Sequence, residues 1–435
     1  MSTGSPKVAN SSLVASDRRS STMLSGRFVR MIVAVTLMIV LFTISSFAAT
    51  VSAKRYSRNS RSVAEKDSAK KKMSRLKRSR GKIARSKSKS KKRRSSRRKR
   101  YYERFTAKSF VNDDQTAADI TAGEDPVVRA AAVEALGNMN GTIVAIDPNS
   151  GRILAMVNQK LALSDGAQPC STIKVAVALA ALSENIVTKD TKVSLGKYWK
   201  MDMTQALAHS NNAYFEVLGR KLGFEKVSHY AHQFGLGELA GWNIDGEHLG
   251  VFPQQELASK LGGVGKMCSF GESISLTPLQ LGALMAAISN GGTLYYLQHP
   301  TSAEEVANFQ PKVKRYLDIA PIIPEISEGM SGTVHYGTGR LVRSNFREEE
   351  VLGKTGTCSK DGTRFGWFAS YANTQYGRIV TVVFLQGGRP TFGPKAAEIT
   401  GRMYRNLYDN SFFAATTPTT PVRSTAGASA VGAPQ

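Results

Sequence analysis

Cysteine is scarce in this chain of 435 residues: there are three, Cys170, Cys268 and Cys358. Three cysteines so far apart make neither a disulfide framework nor a thiolate zinc site. Cys268 reads as a small buried hydrophobe. Histidine is scarce too. His229 and His232 share a helical face, but no third ligand stands beside them, so packing explains the pair better than a metal does. His209 reads as positional. No phosphate-cradling glycine loop, no base-reading motif and no internal repeat is present, which removes the usual nucleotide-binding and solenoid classes. Acidic residues are few, 33 against 59 Lys+Arg, for a net charge of +26.

That charge is local. From Lys54 to Arg100 there are 24 Lys/Arg against Glu65 and Asp67, which is +22 of the total and leaves +4 for the rest. Such a Lys/Arg/Ser block cannot offset its ordering entropy with a core and is expected to be disordered. It carries no interleaved aromatics; Tyr101 and Tyr102 only follow it. A solvated linker is the simplest reading. Phosphate neutralisation on nucleic acid and attraction to anionic lipid heads or acidic wall polymers are the alternatives. The segment before it disfavours nucleic acid. Met31 to Ala53 is 23 residues without a charge, enough to span a bilayer, which needs about 20. A basic start, an apolar core over 31–44 and the Val51-Ser52-Ala53 end equally fit a cleaved signal peptide. Either places the chain beyond Ala53 across the inner membrane. The basic flank after Ala53 opposes the positive-inside rule; the chemistry of the globular part favours export regardless.

The expected organisation is a cytoplasmic segment (1–30), a transmembrane anchor or signal peptide (31–53), a basic linker (54–121), a globular domain (122–410) and a Thr/Pro/Ala-rich disordered tail (411–435). The domain is long enough to bury one sizeable core. Asp125-Pro126 starts a helix running to Leu136. Gly141–Ile146 and Arg152–Asn158 flank an Asp-Pro-Asn-Ser-Gly turn and read as a β-hairpin. Helical stretches come next at 171–182, within 201–234, and at 279–289, the last opened by Thr277-Pro278 and closed by Asn290-Gly291-Gly292. Val351–Cys358 reads as an edge strand, 365–372 and 378–385 as the next two strands, and 395–407 as a closing helix. The class is mixed α/β.

The chemistry-bearing stretch is Gln168-Pro-Cys-Ser171-Thr-Ile-Lys174, running into an apolar helix. Positions three apart share a helical face, so Lys174 can reach the Ser171 hydroxyl. Serine is a weak nucleophile until a base stands beside it. A lysine amine half-buried against an apolar helix loses proton affinity and can be that base. Taken alone this spacing is common. Two further motifs stand after it in order, Ser210-x-Asn212 and Lys354-Thr355-Gly356.

The three together resemble the motif set of penicillin-binding proteins and serine β-lactamases. Ser269-Phe-Gly271-Glu-Ser273-Ile-Ser-Leu-Thr277-Pro278-Leu-Gln280 resembles a stretch of class B penicillin-binding proteins, as do Tyr336-Gly337-Thr338-Gly339 and Gly387-Gly388. The resemblance covers roughly 122–410. It implies a transpeptidase fold, a five-stranded antiparallel sheet with helices on both sides plus a helical subdomain. It implies a D,D-transpeptidase whose partners are peptidoglycan stem peptides, β-lactams and the inner membrane, with the domain on the periplasmic side and no cofactor or metal. Ser171 would attack the carbonyl between two terminal D-alanines and Lys174 would take its proton. Ser210 would relay a proton to the leaving amine. Asn212 would bind substrate backbone and Lys174. Lys354 would keep the cleft positive and draw the terminal carboxylate, Thr355 and Thr357 would donate to it, and Gly356 would leave room for the acyl group. The N–H groups of Ser171 and Thr357 would form the oxyanion hole.

The chain departs from the pattern. Cys170 stands where the family usually has glycine, and Cys358 follows the third motif; an exported domain could bridge them. Glu272-Ser273 replaces the usual x-Gly. Only 68 residues separate the apolar run from the domain, without room for a glycosyltransferase or the usual large non-catalytic domain. A D,D-carboxypeptidase, a β-lactamase and a non-catalytic β-lactam sensor or wall-binding protein are the competing readings. No glutamate is placed by a recognisable loop to deacylate the enzyme, and the intact motif side chains argue against a dead site.

Overall fold

The computed structural model describes residues 106–374 and 377–415. The 31–53 apolar run, the basic block and the tail beyond 415 lie outside the described residues; among those described, no helix is long and apolar enough to cross a membrane.

The domain is built on one antiparallel sheet. Its strands are β1 (Gly141–Ile146), β2 (Ile153–Val157), β3 (Glu350–Lys360), β4 (Thr363–Thr374) and β5 (Gly377–Gly387), in the order β2-β1-β5-β4-β3. Chain-distant β1 and β5 pair with Val144 opposite Val382. Side chains alternate between the faces, and both faces are buried. Val144, Ile146, Trp367, Val380 and Val382 join one core. Ile143, Ala145, Phe368, Val383 and Leu385 join the other. The first core is covered by α2 (Lys174–Ser183) and α6 (Pro278–Asn290), the second by α1 (Pro126–Leu136) and α8 (Gly393–Asp409). The helical subdomain holds α3 (Met203–Ala208), α4 (Asn212–Gln233, interrupted at Gly223), α5 (Gly263–Phe270) and α7 (Ile323–His335).

Local signals act as their chemistry dictates. The Asp125 carboxylate accepts from the N–H groups of Val127 and Val128 and starts α1, with Pro126 at its first position. Thr277 and Gln280 form a reciprocal capping box on α6, and Gly291 ends that helix at φ 95°. Asp147 accepts from Asn149 N–H at 3.0 Å and closes the turn between β1 and β2.

Several margins differ from the sequence expectation. The stretch expected to be linker as far as 121 packs on the domain from residue 106 onward. Thr106 N–H donates to Arg389 O at 2.9 Å, and Phe110 bridges Met139. Asp119 pairs with Arg129 at 2.7 Å and accepts from the N–H groups of Asn158 and Gln159. The expected tail begins with a turn of helix, Phe412–Ala415, whose Phe413 is buried beside Phe346. Two small hairpins went unread, Val193–Ser194 with Lys200–Met201 and Thr293–Tyr295 with Val313–Tyr316, as did α7.

The loop between α5 and α6 carries Ser273 at φ 65°. A non-glycine residue there costs about 1–2 kcal/mol, while glycine costs about 0.4–1 kcal/mol through the freer unfolded chain. Relief of strain is the larger effect. Ser273→Gly is therefore expected to stabilise the protein by about 1 kcal/mol and raise Tm by about 2–4 °C in a calorimetric scan. An unchanged or lower Tm would show that contacts of the Ser273 side chain outweigh the strain.

Candidate active site

The site forms where the edge strand β3 passes the entry to α2. Ser171 and its neighbours, Cys170–Ile173, form a 3₁₀ turn, and the α-helix begins only at Lys174. Expected as one helix, the stretch is tighter at its start. In a 3₁₀ turn residues three apart eclipse, which brings the Lys174 amine under the Ser171 hydroxyl at 2.9 Å.

The amine has three more partners. Ser210 O lies at 2.9 Å, Ser210 Oγ at 3.2 Å and Asn212 Oδ1 at 2.6 Å. These reach it because the chain breaks between α3 and α4. Ser210 takes a left-handed conformation, φ 55°, and Asn211 caps α4 by accepting from Tyr214 N–H, so Asn212 heads the helix. Two chain segments, 171–174 and 210–212, thus converge on one nitrogen.

Lys174 is wholly buried. Burial pushes its amine down to about 6, with the positive charge of Lys354 adding to the effect and Glu216 opposing it. Glu216, whose carboxylate also pairs with Arg220 and Lys266, contributes less than burial does. A neutral amine has two hydrogens and one lone pair. Ser210 O and the Asn212 amide oxygen can only accept, so they take the hydrogens. The lone pair is then left for a serine O–H.

Lys354 projects from β3, also wholly buried, and donates to Thr355 O at 3.0 Å. Burial pushes it down to about 7. Thr355 Oγ1 lies 2.5 Å from Thr338 Oγ1, in a segment that also bonds Thr338 N–H to Ala208 O. Thr357 Oγ1 accepts from Gly393 N–H at the start of α8, which leaves its own proton free to donate. Thr338 and Gly393 enter the site through contacts between segments far apart in the chain; only the Tyr-Gly-Thr-Gly resemblance pointed toward the first.

Gly356 serves a different purpose from the one expected. A Cβ there would come within 2.8 Å of Pro169 O and 3.1 Å of Trp367 Cβ. The missing side chain lets β3 press against the turn carrying Ser171; the room it leaves is filled by protein. Trp367 Nε1–H donates to Gln168 O at 3.0 Å, closing the same contact from β4. Cys170 and Cys358 are joined by a disulfide with Cα atoms 5.5 Å apart.

Outside the site, Cys268 is fully buried and its thiol is pushed up by burial. The His232 ring stands edge-on to Phe252, the His229 ring edge-on to Tyr230 and the His209 ring beside Tyr336. A cavity of about 520 Å³ lies among Ile288, Tyr371 and Arg378, and no motif residue lines it.

Residues 141–408, more than half of the chain, match the family described as the penicillin binding protein transpeptidase domain. Stage V sporulation protein D of Bacillus subtilis is 28% identical over 316 residues, covering 60% of this chain and 48% of that protein. Peptidoglycan D,D-transpeptidase MrdA of Haemophilus influenzae is 24% identical over 351 residues, covering 61% and 53%. The chain thus spans about half the length of the curated relatives it matches. Among solved structures, a peptidoglycan glycosyltransferase from Burkholderia ambifaria superposes with a TM-score of 0.56 at 20% identity, covering 69% of this chain and 100% of that one. The D,D-transpeptidase domain of a peptidoglycan glycosyltransferase from Eggerthella lenta gives 0.54 at 20% identity, covering 66% and 82%. These likenesses bear out the expected five-stranded antiparallel fold, and the match over 141–408 is to the family that the three motifs resemble: the chain belongs to the penicillin-binding protein transpeptidase domain family.

Proposed function

We propose that the protein is a serine D,D-transpeptidase acting on peptidoglycan stem peptides that end in D-Ala-D-Ala, and that β-lactams acylate the same serine. The observation that carries this reading is the buried Lys174 amine 2.9 Å from Ser171 Oγ, in surroundings whose desolvation lowers its proton affinity. Membership of the family and the named transpeptidases among its relatives support it.

The steps are those the chemistry requires. Ser171 Oγ attacks the carbonyl carbon of the penultimate D-Ala while its proton passes to the Lys174 lone pair. The carbonyl oxygen becomes an oxyanion, held by the N–H groups of Ser171 and Thr357; one such donor is worth about 10²–10³ in rate. The intermediate collapses, and the leaving D-Ala nitrogen takes the proton from Lys174 through Ser210 Oγ. An acceptor amine then attacks the ester, and the steps run in reverse to free Ser171. Asn212 orients Lys174 and the substrate backbone. Lys354, when charged, and the hydroxyls of Thr355 and Thr357 hold the substrate carboxylate. The sequence places no glutamate in a recognisable deacylating loop, which favours a lasting acyl-enzyme over a β-lactamase. The apolar run at 31–53 would anchor the domain outside the cytoplasm, and the basic block would lie against anionic lipid or wall polymer rather than nucleic acid.

Purified full-length protein is expected to form a stable adduct with a fluorescent penicillin, and Ser171→Ala is expected to form none. With a stem pentapeptide and an amine acceptor it should release D-Ala and yield the transferred product by mass spectrometry. Hydrolysed tetrapeptide alone would indicate a carboxypeptidase, and an adduct surviving in Ser171→Ala would overturn the assignment.

The pH dependence has two parts. Below about pH 6 Lys174 is protonated and cannot accept, so the acylation rate constant should rise with pH through that value. Above about pH 7 Lys354 loses its charge, so affinity for the carboxylate should weaken with pH. Stopped-flow acylation across pH 5–9 separates the two. A rate constant flat across pH 6 would contradict the role given to Lys174.

A further inference from the structure

We infer that the Cys170–Cys358 disulfide positions the reacting serine, holding Cys170 in a left-handed backbone from which the chain enters Ser171. The inference rests on the reading of Ser171 as the nucleophile.

The bond occupies a telling place. Cys170 immediately precedes Ser171, and Cys358 immediately follows Thr357. The two N–H groups assigned to the oxyanion hole therefore lie one residue from either end of one covalent link. Cys170 is wholly buried and sits at φ 52°. An L-residue with a side chain avoids that region, and such a conformation persists only where surroundings over-determine it. The φ of residue 170 sets the direction in which Ser171 leaves the turn, and so the aim of both its hydroxyl and its N–H. Two further contacts hold the turn against the sheet, Trp367 Nε1–H on Gln168 O and the approach of Gly356 to Pro169 O. Thr172 also closes the turn across Cys170, its N–H and hydroxyl both donating to Pro169 O. The disulfide is the covalent link on the Cys170 side chain. It spans 188 residues of sequence and ties the turn to β3. Without it, residue 170 can relax to negative φ, and Ser171 turns away from Lys174 and the Thr357 N–H.

A test separates positioning from simple stapling. Fluorescent-penicillin acylation is followed by stopped flow on the full chain, so that the rate constant at saturation and the Kd are read apart. Four forms are compared: oxidised, reduced with dithiothreitol, Cys170→Ala/Cys358→Ala and Cys170→Gly/Cys358→Ala. Dithiothreitol gives two electrons and two protons to the S–S bond and closes to its own cyclic disulfide, leaving thiols at 170 and 358. Far-UV circular dichroism checks that each form is folded.

The reduced and alanine forms are expected to lose about tenfold or more in the rate constant, a fraction of what a fully lost oxyanion donor costs, with Kd little changed. The glycine form has no Cβ to strain and should recover to within about threefold of the oxidised enzyme. Equal rate constants in the oxidised, reduced and alanine forms would overturn the inference and leave the bond as a staple. A glycine form as slow as the alanine form would overturn it too, because backbone strain would not be what the bond controls. Mass spectrometry finding free thiols at 170 and 358 in protein isolated from an oxidising compartment would do the same. No Ser171-dependent adduct in the oxidised form would instead sink the underlying reading of the site.

Discussion

A lysine amine can act as a base at neutral pH only where its proton costs more than it gains, and Lys174 occupies such a place. It is closed off from water, with the amine of Lys354 nearby and the partly exposed Glu216 too weak to compensate. Folding at neutral pH must therefore strip a proton from it, since its amine sits near 6 in the fold and near 10.5 in the unfolded chain. Stability consequently rises with pH across that window, the sign required when the unfolded state binds more protons. The protein accepts a folding cost here, and the proposed mechanism uses the result.

The remaining architecture serves that nitrogen. The 3₁₀ turn sets Ser171 against it from one side. The break between α3 and α4 sets Ser210 and Asn212 against it from the other. The sheet supplies a rigid third wall, because β3 is paired along its whole length with β4. Gly356 lets that wall approach the turn, and the disulfide fixes how close it comes. The side chains that would meet substrate thus rest on regular elements or their ends, which suits chemistry needing sub-ångström placement.

Much of this was legible in the sequence where local chemistry decides. The stretches 365–372 and 378–385 are β-branched and aromatic runs that fall inside the observed strands 363–374 and 377–387, and the caps at Asp125 and Thr277 announce their helices. The Ser171–Lys174 spacing places its two groups together in any helical turn. Other features depend on distant partners. Helix α7 is not among the expected elements; its Gly329 and Gly332, poor helix formers, allow close packing against Leu207 and Ala208 of α3. The packing of residues 106–121 on the domain is not legible locally, because Phe110 and Asp119 look like linker residues until Met139 and Arg129 meet them. The αL backbone at Cys170 and Ser273 was not readable from those residues themselves, since neither is glycine. The resemblance flagged both as departures without saying what backbone they adopt.

The central claim is that Lys174 is an uncharged amine inside the folded site. It can be read directly by NMR of side-chain-labelled lysine in the full chain, titrated from pH 5 to 11, with Lys174→Met to assign the signal. The account predicts one lysine titrating near pH 6 that vanishes in the variant. A Lys174 signal that stays protonated up to pH 10 would contradict it, and the proton would have to leave Ser171 by another route.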